Sequence, residues 1–153
     1  MPAQTPIDFI AYDSDGGVVL LAEAKSRHGT SEVWAAKLRR NMLSHGVLPH
    51  SQYFLIATPE RLYWWRQENL PSIEAPPQFI ADSSRALGPY FARLHQDPAN
   101  ISPRAFELLV LTWLTDIATS RDRPEVDPSL QSLSDSGLLS SLRKAEIEMN
   151  PAR

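Results

Sequence analysis

The stretch PIDFIAYDSDGGVVLLAEAKS, residues 6–26, decides the fold of this chain because it has the pattern of a β-hairpin. Two β-rich apolar runs, Ile7–Asp13 and Val18–Lys25, flank the residues Ser-Asp-Gly-Gly. Asp-Gly is a favoured pair for a two-residue type I′ turn, which predicts that Asp15 and Gly16 are the turn residues. We therefore expect two antiparallel strands joined at this point.

A two-residue turn fixes the register of a hairpin, and the register decides which charged side chains meet. It places Asp8 directly opposite Glu23, and Lys25 shares their face because it lies two residues beyond Glu23. Opposed carboxylates repel, and a divalent cation held by carboxylate oxygens is a simple way to offset that repulsion. The adjacent lysine is suited to orienting water or stabilising charge on a phosphoryl group. The three side chains therefore suit metal-assisted phosphodiester hydrolysis.

Composition limits the remaining possibilities. The chain has 153 residues, a formal net charge of −3 and no cysteine, which excludes disulfides, thiolate zinc sites and cysteine nucleophiles. An acidic protein does not hold nucleic acid over its whole surface, so any such contact must be a local patch. The N-terminus has no signal-peptide pattern, and no apolar run approaches the roughly 18 residues of a membrane span. We expect one soluble, cytoplasmic domain, 1–153, without a membrane partner.

The rest of the chain predicts an α/β fold. A helix from about Ser31 to His45 is followed by two strands, 52–58 and 61–66, which form a second hairpin. A proline-rich connection, 67–83, leads to a helical C-terminal part, 84–153. Three helices are expected there: Ser84–His95, Ser102–Thr119 and Gly137–Met149. The result is a β-rich core over 1–66 (hairpin, helix, strand, strand) flanked by helices.

These features resemble the PD-(D/E)xK nuclease superfamily, which includes type II restriction endonucleases and DNA-repair nucleases. PID at Pro6–Asp8 is similar to its first motif and EAK at Glu23–Lys25 to its second. The resemblance covers about residues 6–66 and implies a restriction endonuclease-like mixed β-sheet. It also implies an Mg²⁺ or Mn²⁺ site formed by Asp8, Glu23 and the backbone carbonyl of Ala24. Asp8, Glu23 and Lys25 would then be the catalytic residues, with DNA as the substrate.

The chain departs from that family in one respect. Members usually have a helix, and often a strand, before the strand that carries the aspartate, whereas few residues precede Asp8 here. Three alternatives remain for this place: the apolar helix near Ser102–Thr119 fills it, a second subunit fills it, or it stays empty. Because that helix is apolar on most faces, it lies either against the sheet or in a homodimer interface.

Two groups of side chains beyond the hairpin suggest nucleic-acid contacts. Lys37 and Arg40 share one face of the predicted helix, whereas Arg39 points elsewhere, and Arg27 precedes the helix. We predict that Lys37, Arg40 and Arg27 bind phosphates, with a solvated helix face as the alternative. The aromatic run 63–65 suits base stacking, but alternation between the core and a second layer of helices is favoured.

Three functions from different classes remain open. The first is an Mg²⁺-dependent endonuclease or exonuclease, and the second is a catalytically inactive module of the same fold that serves in nucleic-acid binding or assembly. The third is a glycosidase, since paired carboxylates also hydrolyse glycosidic bonds. The purely structural alternative for Asp8, Glu23 and Lys25 is an edge hairpin whose inward charges prevent pairing with other chains.

Overall fold

The computed structural model describes residues 7–45, 48–68, 70, 72–119 and 131–150, and these form a mixed α/β fold. The strands are β1 (Phe9–Tyr12), β2 (Val18–Ala24), β3 (Tyr53–Ala57), β4 (Arg61–Arg66), β5 (Phe79–Asp82) and β6 (Glu146–Met149). The helices of the described residues are α1 (Glu32–Ser44), α2 (Ser83–Arg93), α3 (Pro103–Thr119), α4 (Gln131–Asp135) and α5 (Leu138–Leu142). One open six-stranded sheet has the order β5-β4-β3-β2-β1-β6, in which β2 and β3 are parallel and every other neighbouring pair is antiparallel.

The hairpin turn differs from the predicted type I′ turn. The Gly16 amide donates to the Asp13 carbonyl at 3.1 Å, so Ser14 and Asp15 are the central residues. The Asp13 carboxylate also accepts the amides of Asp15 and Gly17, at 2.9 and 2.8 Å. A type I′ turn needs positive φ at both central residues. Gly16 has φ +82°, but the φ of Asp15 is not positive. The prediction of Asp15 and Gly16 as turn residues is therefore wrong, because Asp13 organises the turn with its own side chain.

The predicted register nevertheless holds at the far end of the hairpin. Near the turn, Tyr12 pairs with Val18, one residue away from the predicted register. A bulge between Ala11 and Tyr12 absorbs this difference, because Ala11 pairs with Leu20 and leaves Val19 as the extra residue. Pairing then continues in the predicted register as far as Phe9 opposite Ala22. Asp8 consequently lies opposite Glu23, as the sequence predicted.

Helices cover both faces of the sheet. On one face α1 begins at its N-cap Ser31, whose hydroxyl accepts the Trp34 amide at 3.2 Å, and packs against a core that includes Tyr63 and Trp65. On the other face α2, α3 and α5 pack over a core that includes Trp64. All three aromatics are fully buried, at 0% exposure. Their alternation between the two layers confirms the packing prediction and leaves none of them free for base stacking.

Two strands were missed by the sequence prediction. The expected helix Gly137–Met149 is wrong, because α5 ends at Leu142 and Glu146–Met149 instead pairs with β1. The run Glu-Ile-Glu-Met alternates between exposed and half-buried residues, which is a strand period. The proline-rich connection also contains a strand, β5, at the opposite edge. The C-terminal part is therefore helical with a strand at its end.

The apolar helix α3 is buried within the chain itself. It packs against β2, β6, α2 and α5, and six of its side chains are buried: Phe106, Leu109, Val110, Trp113, Leu114 and Ala118. This burial explains its apolar character without a second subunit, and the homodimer finds no support in the structure. No helix of the described residues is both long and apolar enough to cross a bilayer.

A tight contact at Gly137 gives a stability test. Gly137 has φ +85°, and a β-carbon there would lie 2.7 Å from the Tyr53 hydroxyl, which donates to the Ser136 carbonyl at 2.7 Å. We expect Gly137→Ala to lower the free energy of unfolding by about 2 kcal/mol, through backbone strain and loss of that contact. Urea unfolding measures it. The control is Gly88→Ala, whose added β-carbon meets nothing within 4 Å and should change stability by less than about 1 kcal/mol. Equal effects would exclude the contact with Tyr53 as the cause.

Candidate active site

Asp8 and Glu23 lie at one end of the sheet, where β1 begins and β2 ends. Their side chains are almost fully buried, at 2% and 1% exposure. The end of β3 lies alongside, since β2 and β3 are parallel and Ala24 pairs with Ala57. The hairpin register therefore brings Asp8 and Glu23 together, and the parallel connection through α1 brings the end of β3 beside them.

The two carboxylates are linked by reciprocal hydrogen bonds between the strands. The Asp8 amide donates to Glu23 Oε1 at 2.9 Å, and the Ala24 amide donates to Asp8 Oδ2 at 2.8 Å. Each side chain therefore accepts a backbone amide of the opposite strand just where regular pairing of β1 with β2 stops. These bonds hold both carboxylates in fixed positions, and charge-assisted bonds of this kind are stronger than neutral ones.

Lys25 completes the trio. Its Nζ lies 3.1 Å from Glu23 Oε2, and its side chain is 36% exposed. Its own amide donates to the Ala57 carbonyl at 2.9 Å, which fixes the backbone at the end of β2. The ammonium group is thus held at the boundary between the buried carboxylates and solvent. The structure brings together all three side chains that the sequence predicted to meet.

The donors available for a metal are limited in kind. The described residues contain no group of three or more His, Cys, Asp or Glu side chains placed to hold a metal ion. Asp8 and Glu23 therefore supply two side chains, which is fewer than a closed zinc or calcium site requires. Mg²⁺ commonly takes one or two carboxylates and completes its shell with water and substrate phosphates. The donor set consequently fits Mg²⁺ or Mn²⁺ better than a structural metal.

The predicted phosphate-binding residues do not form one group. Arg40 forms an ion pair with Glu74 at 3.4 Å, and Lys37 lines the same groove on the outer flank of α1. Helix α1 begins at Glu32, and at about 1.5 Å per residue Arg40 lies roughly 12 Å farther along the helix. Arg27 lies nearer to the site, in the loop between Lys25 and α1, with its guanidinium carbon 5.8 Å from the centre of the Trp34 ring.

Arg39 points away from this flank, as the sequence suggested. It is buried, at 4% exposure, and donates to the Ile73 carbonyl and to Gln67 Oε1 at 3.1 and 2.9 Å. Its guanidinium carbon lies 5.2 Å from the centre of the Trp65 ring. Burial lowers the pKa of Arg39 to about 10, and it remains cationic at neutral pH. Arg39 therefore joins α1 to the segment after β4 and does not face the site.

Arg61, the first residue of β4, is an exposed cation at this end of the sheet that the sequence pattern did not single out. The pairing of β2 with β3 and of β3 with β4 aligns Lys25, Thr58 and Arg61 in one row. The order of the elements is the signal that could have revealed this row. The parallel crossover through α1 brings the end of β3 beside the end of β2, and the short turn after β3 starts β4 at that same end of the sheet.

The geometry disfavours a glycosidase. Sugar hydrolysis needs carboxylates that line a cleft large enough for a sugar ring. Asp8 and Glu23 are 2% and 1% exposed, so neither side chain lines an open cleft. The pair instead lies at the end of the sheet, with Lys25 between it and solvent.

Fold and site together define a mixed α/β protein that carries two buried carboxylates and a lysine at the end of an open sheet. Comparisons with protein-family models, curated proteins and solved structures give no match. Its function must therefore be inferred from the geometry of the site.

Proposed function

We propose that this protein is an Mg²⁺-dependent nuclease with a restriction endonuclease-like core, and that it hydrolyses DNA phosphodiester bonds at Asp8, Glu23 and Lys25. One observation carries the proposal. Two carboxylates opposed across a hairpin are each fixed by an amide of the other strand, and a lysine ammonium lies 3.1 Å from one of them. Fixed acidic oxygens beside a partly exposed cation are the groups that phosphodiester hydrolysis uses.

The side chains of Asp8 and Glu23, with the carbonyl of Ala24, would hold Mg²⁺, and Mn²⁺ would serve as well. When bound, the ion supplies Lewis-acid polarisation of the scissile phosphate and lowers the pKa of a water. The hydrogen bonds from the Asp8 and Ala24 amides orient both carboxylates, as outer partners of a metal site commonly do.

Lys25 has two roles in this proposal. Without substrate, its ammonium pairs with Glu23 Oε2, which limits charge repulsion between the carboxylates. With DNA present, the partly exposed side chain turns toward the scissile phosphate, where it orients the attacking water and offsets negative charge. Because the lysine side chain is long and flexible, this movement costs little free energy.

The surrounding elements support a nuclease-like core. A strand and a helix from the C-terminal half adjoin β1 and β2. Strand β6 pairs with β1, and α3 packs against β2 and β6. The amide of Asn150, the residue after β6, donates to the Asp8 carbonyl at 2.9 Å and holds the backbone at the site. In this proposal, these C-terminal elements would serve where the nuclease superfamily has elements before its aspartate.

Lys25→Ala tests the proposed activity. With Mg²⁺ or Mn²⁺, we expect the wild type to cleave supercoiled plasmid, linear duplex or single-stranded DNA, and the variant to cleave at least about a hundredfold more slowly. Gel electrophoresis over time measures the rates. Lys144→Ala, an exposed lysine in the turn before β6, is the control and should retain full activity. Cleavage that survives Lys25→Ala would place the activity elsewhere or in a contaminant, and no cleavage by the wild type on any substrate would refute it.

A second candidate is an inactive module of the same fold that binds nucleic acid. The observation in its favour is that the reciprocal bonds give both carboxylates a structural use in closing the hairpin. Calorimetric titration distinguishes the two. A nuclease site binds Mg²⁺ or Mn²⁺ in the wild type but not in Asp8→Ala, whereas a module without a metal site binds neither ion in either protein.

A further inference from the structure

We propose that the phosphate backbone of the nucleic acid crosses the end of the sheet from Lys25 to Arg61, and that Arg61, rather than Lys37 or Arg40, contacts a phosphate about three nucleotides from the cleaved one. This rests on the proposed function, since it names the binding surface of that site. It follows from strand register and charge.

Register places Arg61 on the face of the sheet that carries Glu23 and Lys25. Ala24 pairs with Ala57, and Ala57 pairs with Leu62, so the next residues, Lys25, Thr58 and Arg61, form one row. Residues in one row share a face, and neighbouring strands lie about 4.8 Å apart. The Lys25 and Arg61 backbones are therefore about 10 Å apart, which corresponds to roughly three nucleotides at 3.4 Å of axial rise each.

The turn that carries Arg61 is held rigidly. The Thr58 amide donates to the Arg61 carbonyl at 2.9 Å, and the Arg61 amide donates to the Thr58 hydroxyl at 2.9 Å. Ser83, at the start of α2, donates its hydroxyl to the Thr58 carbonyl at 2.7 Å. None of these hydrogen bonds involves the guanidinium of Arg61. The side chain of Arg61 is exposed, and none of the ion pairs among the described residues includes it.

A cationic loop connects the two ends of this row. Residues 25–31 pass from β2 to α1 and carry Arg27, which is exposed. The Gly29 amide donates to Glu60 Oε1 at 2.7 Å, which ties the loop to the turn before Arg61. Lys25, Arg27 and Arg61 therefore lie along one continuous strip, which we call the basic edge. Guanidinium and ammonium groups arranged in this way suit several phosphates of one strand.

Two acidic residues adjoin the basic edge. Glu60 is engaged by the Gly29 amide, and Asp82 pairs with Arg61 in the sheet. A hydrogen bond from the Ser84 hydroxyl, followed by one from its amide, lowers the pKa of Asp82, so this carboxylate is charged at neutral pH. Asp82 therefore opposes a phosphate bound at Arg61. By contrast, Arg40 is paired with Glu74 on the flank of α1.

Substitutions at Arg61 and Asp82 should change binding in opposite directions. Arg61→Gln removes a phosphate contact, so we expect affinity for a fluorescent duplex to fall about tenfold and the salt slope to fall by about 0.9. Asp82→Asn removes the opposing charge, and because asparagine caps a helix as well as aspartate, affinity should rise about two- to threefold. The double variant Lys37→Gln, Arg40→Gln is the matched control and should bind like the wild type.

Fluorescence anisotropy in EDTA, with cleavage in Mg²⁺ measured in parallel, tests this proposal and separates binding from catalysis. Arg61→Gln binding within twofold of the wild type, or a larger loss in the double variant, overturns the basic edge while leaving the nuclease proposal intact. Binding that depends on Arg61 without cleavage supports the basic edge and refutes the nuclease. If the wild type binds no nucleic acid, both proposals fail. Circular dichroism melting confirms that each variant is folded.

Discussion

We expect Glu23→Gln to lower the proposed Mg²⁺-dependent cleavage by at least about a thousandfold and to leave the protein folded. The variant keeps the amide oxygen that accepts the Asp8 N–H but loses the charge next to Lys25. A charged ligand of a metal contributes several kcal/mol to stabilising the transition state, and about 1.4 kcal/mol corresponds to a factor of ten in rate. Single-turnover cleavage of a labelled duplex measures the loss.

Metal binding provides a second readout that does not depend on activity. Mg²⁺ that binds only the folded protein raises its melting temperature by mass action. We expect this rise in the wild type and its disappearance in Glu23→Gln. The control is Glu148→Gln, an exposed position on β6 in the same sheet, which should keep both the rise and the cleavage rate. Cleavage by Glu23→Gln within tenfold of the wild type would mean that this carboxylate is not part of the active site.

The hairpin shows how far sequence reasoning reached at the site. The opposition of Asp8 and Glu23 was predicted from a two-residue turn, yet the turn found is centred one residue earlier. A bulge next to Tyr12 restores the register, so two local departures cancel. The Asp13 carboxylate accepts amides within the turn, and the Asp-Gly pair in the sequence does not show whether such bonds will form. At the far end, the bonds from the Asp8 amide to Glu23 and from the Ala24 amide to Asp8 hold the predicted register.

The two edge strands were beyond prediction for a different reason. β5 and β6 have four residues each, and such short runs carry little periodic signal. β6 acquires its conformation by pairing with β1, more than a hundred residues earlier in the chain. Long-range pairing of this kind decides between strand and helix where local propensity does not. The basic edge was missed for the same reason, because Arg61 meets the site only through the pairing of three strands.

Trp64 is expected to be the most costly side chain to truncate. It has 0% exposure, stacks on Phe79 with ring centres 5.4 Å apart, and donates its indole N–H to the Ser136 hydroxyl at 3.0 Å. We expect Trp64→Ala to lower the free energy of unfolding by about 3–5 kcal/mol, because it leaves a cavity between the sheet and the helices. Urea unfolding followed by far-ultraviolet circular dichroism measures the change.

Two further variants separate packing from hydrogen bonding at this position. Trp64→Phe keeps an aromatic ring beside Phe79 but loses the bond to Ser136, so we expect a loss of about 1–2 kcal/mol. Val33→Ala, at a position that is 64% exposed on α1, should change stability by less than about 0.5 kcal/mol. If Trp64→Ala costs no more than Val33→Ala, the layer formed by α2, α3 and α5 does not pack on β4 as described. The strand that carries Arg61 would then lack the support on which the basic edge depends.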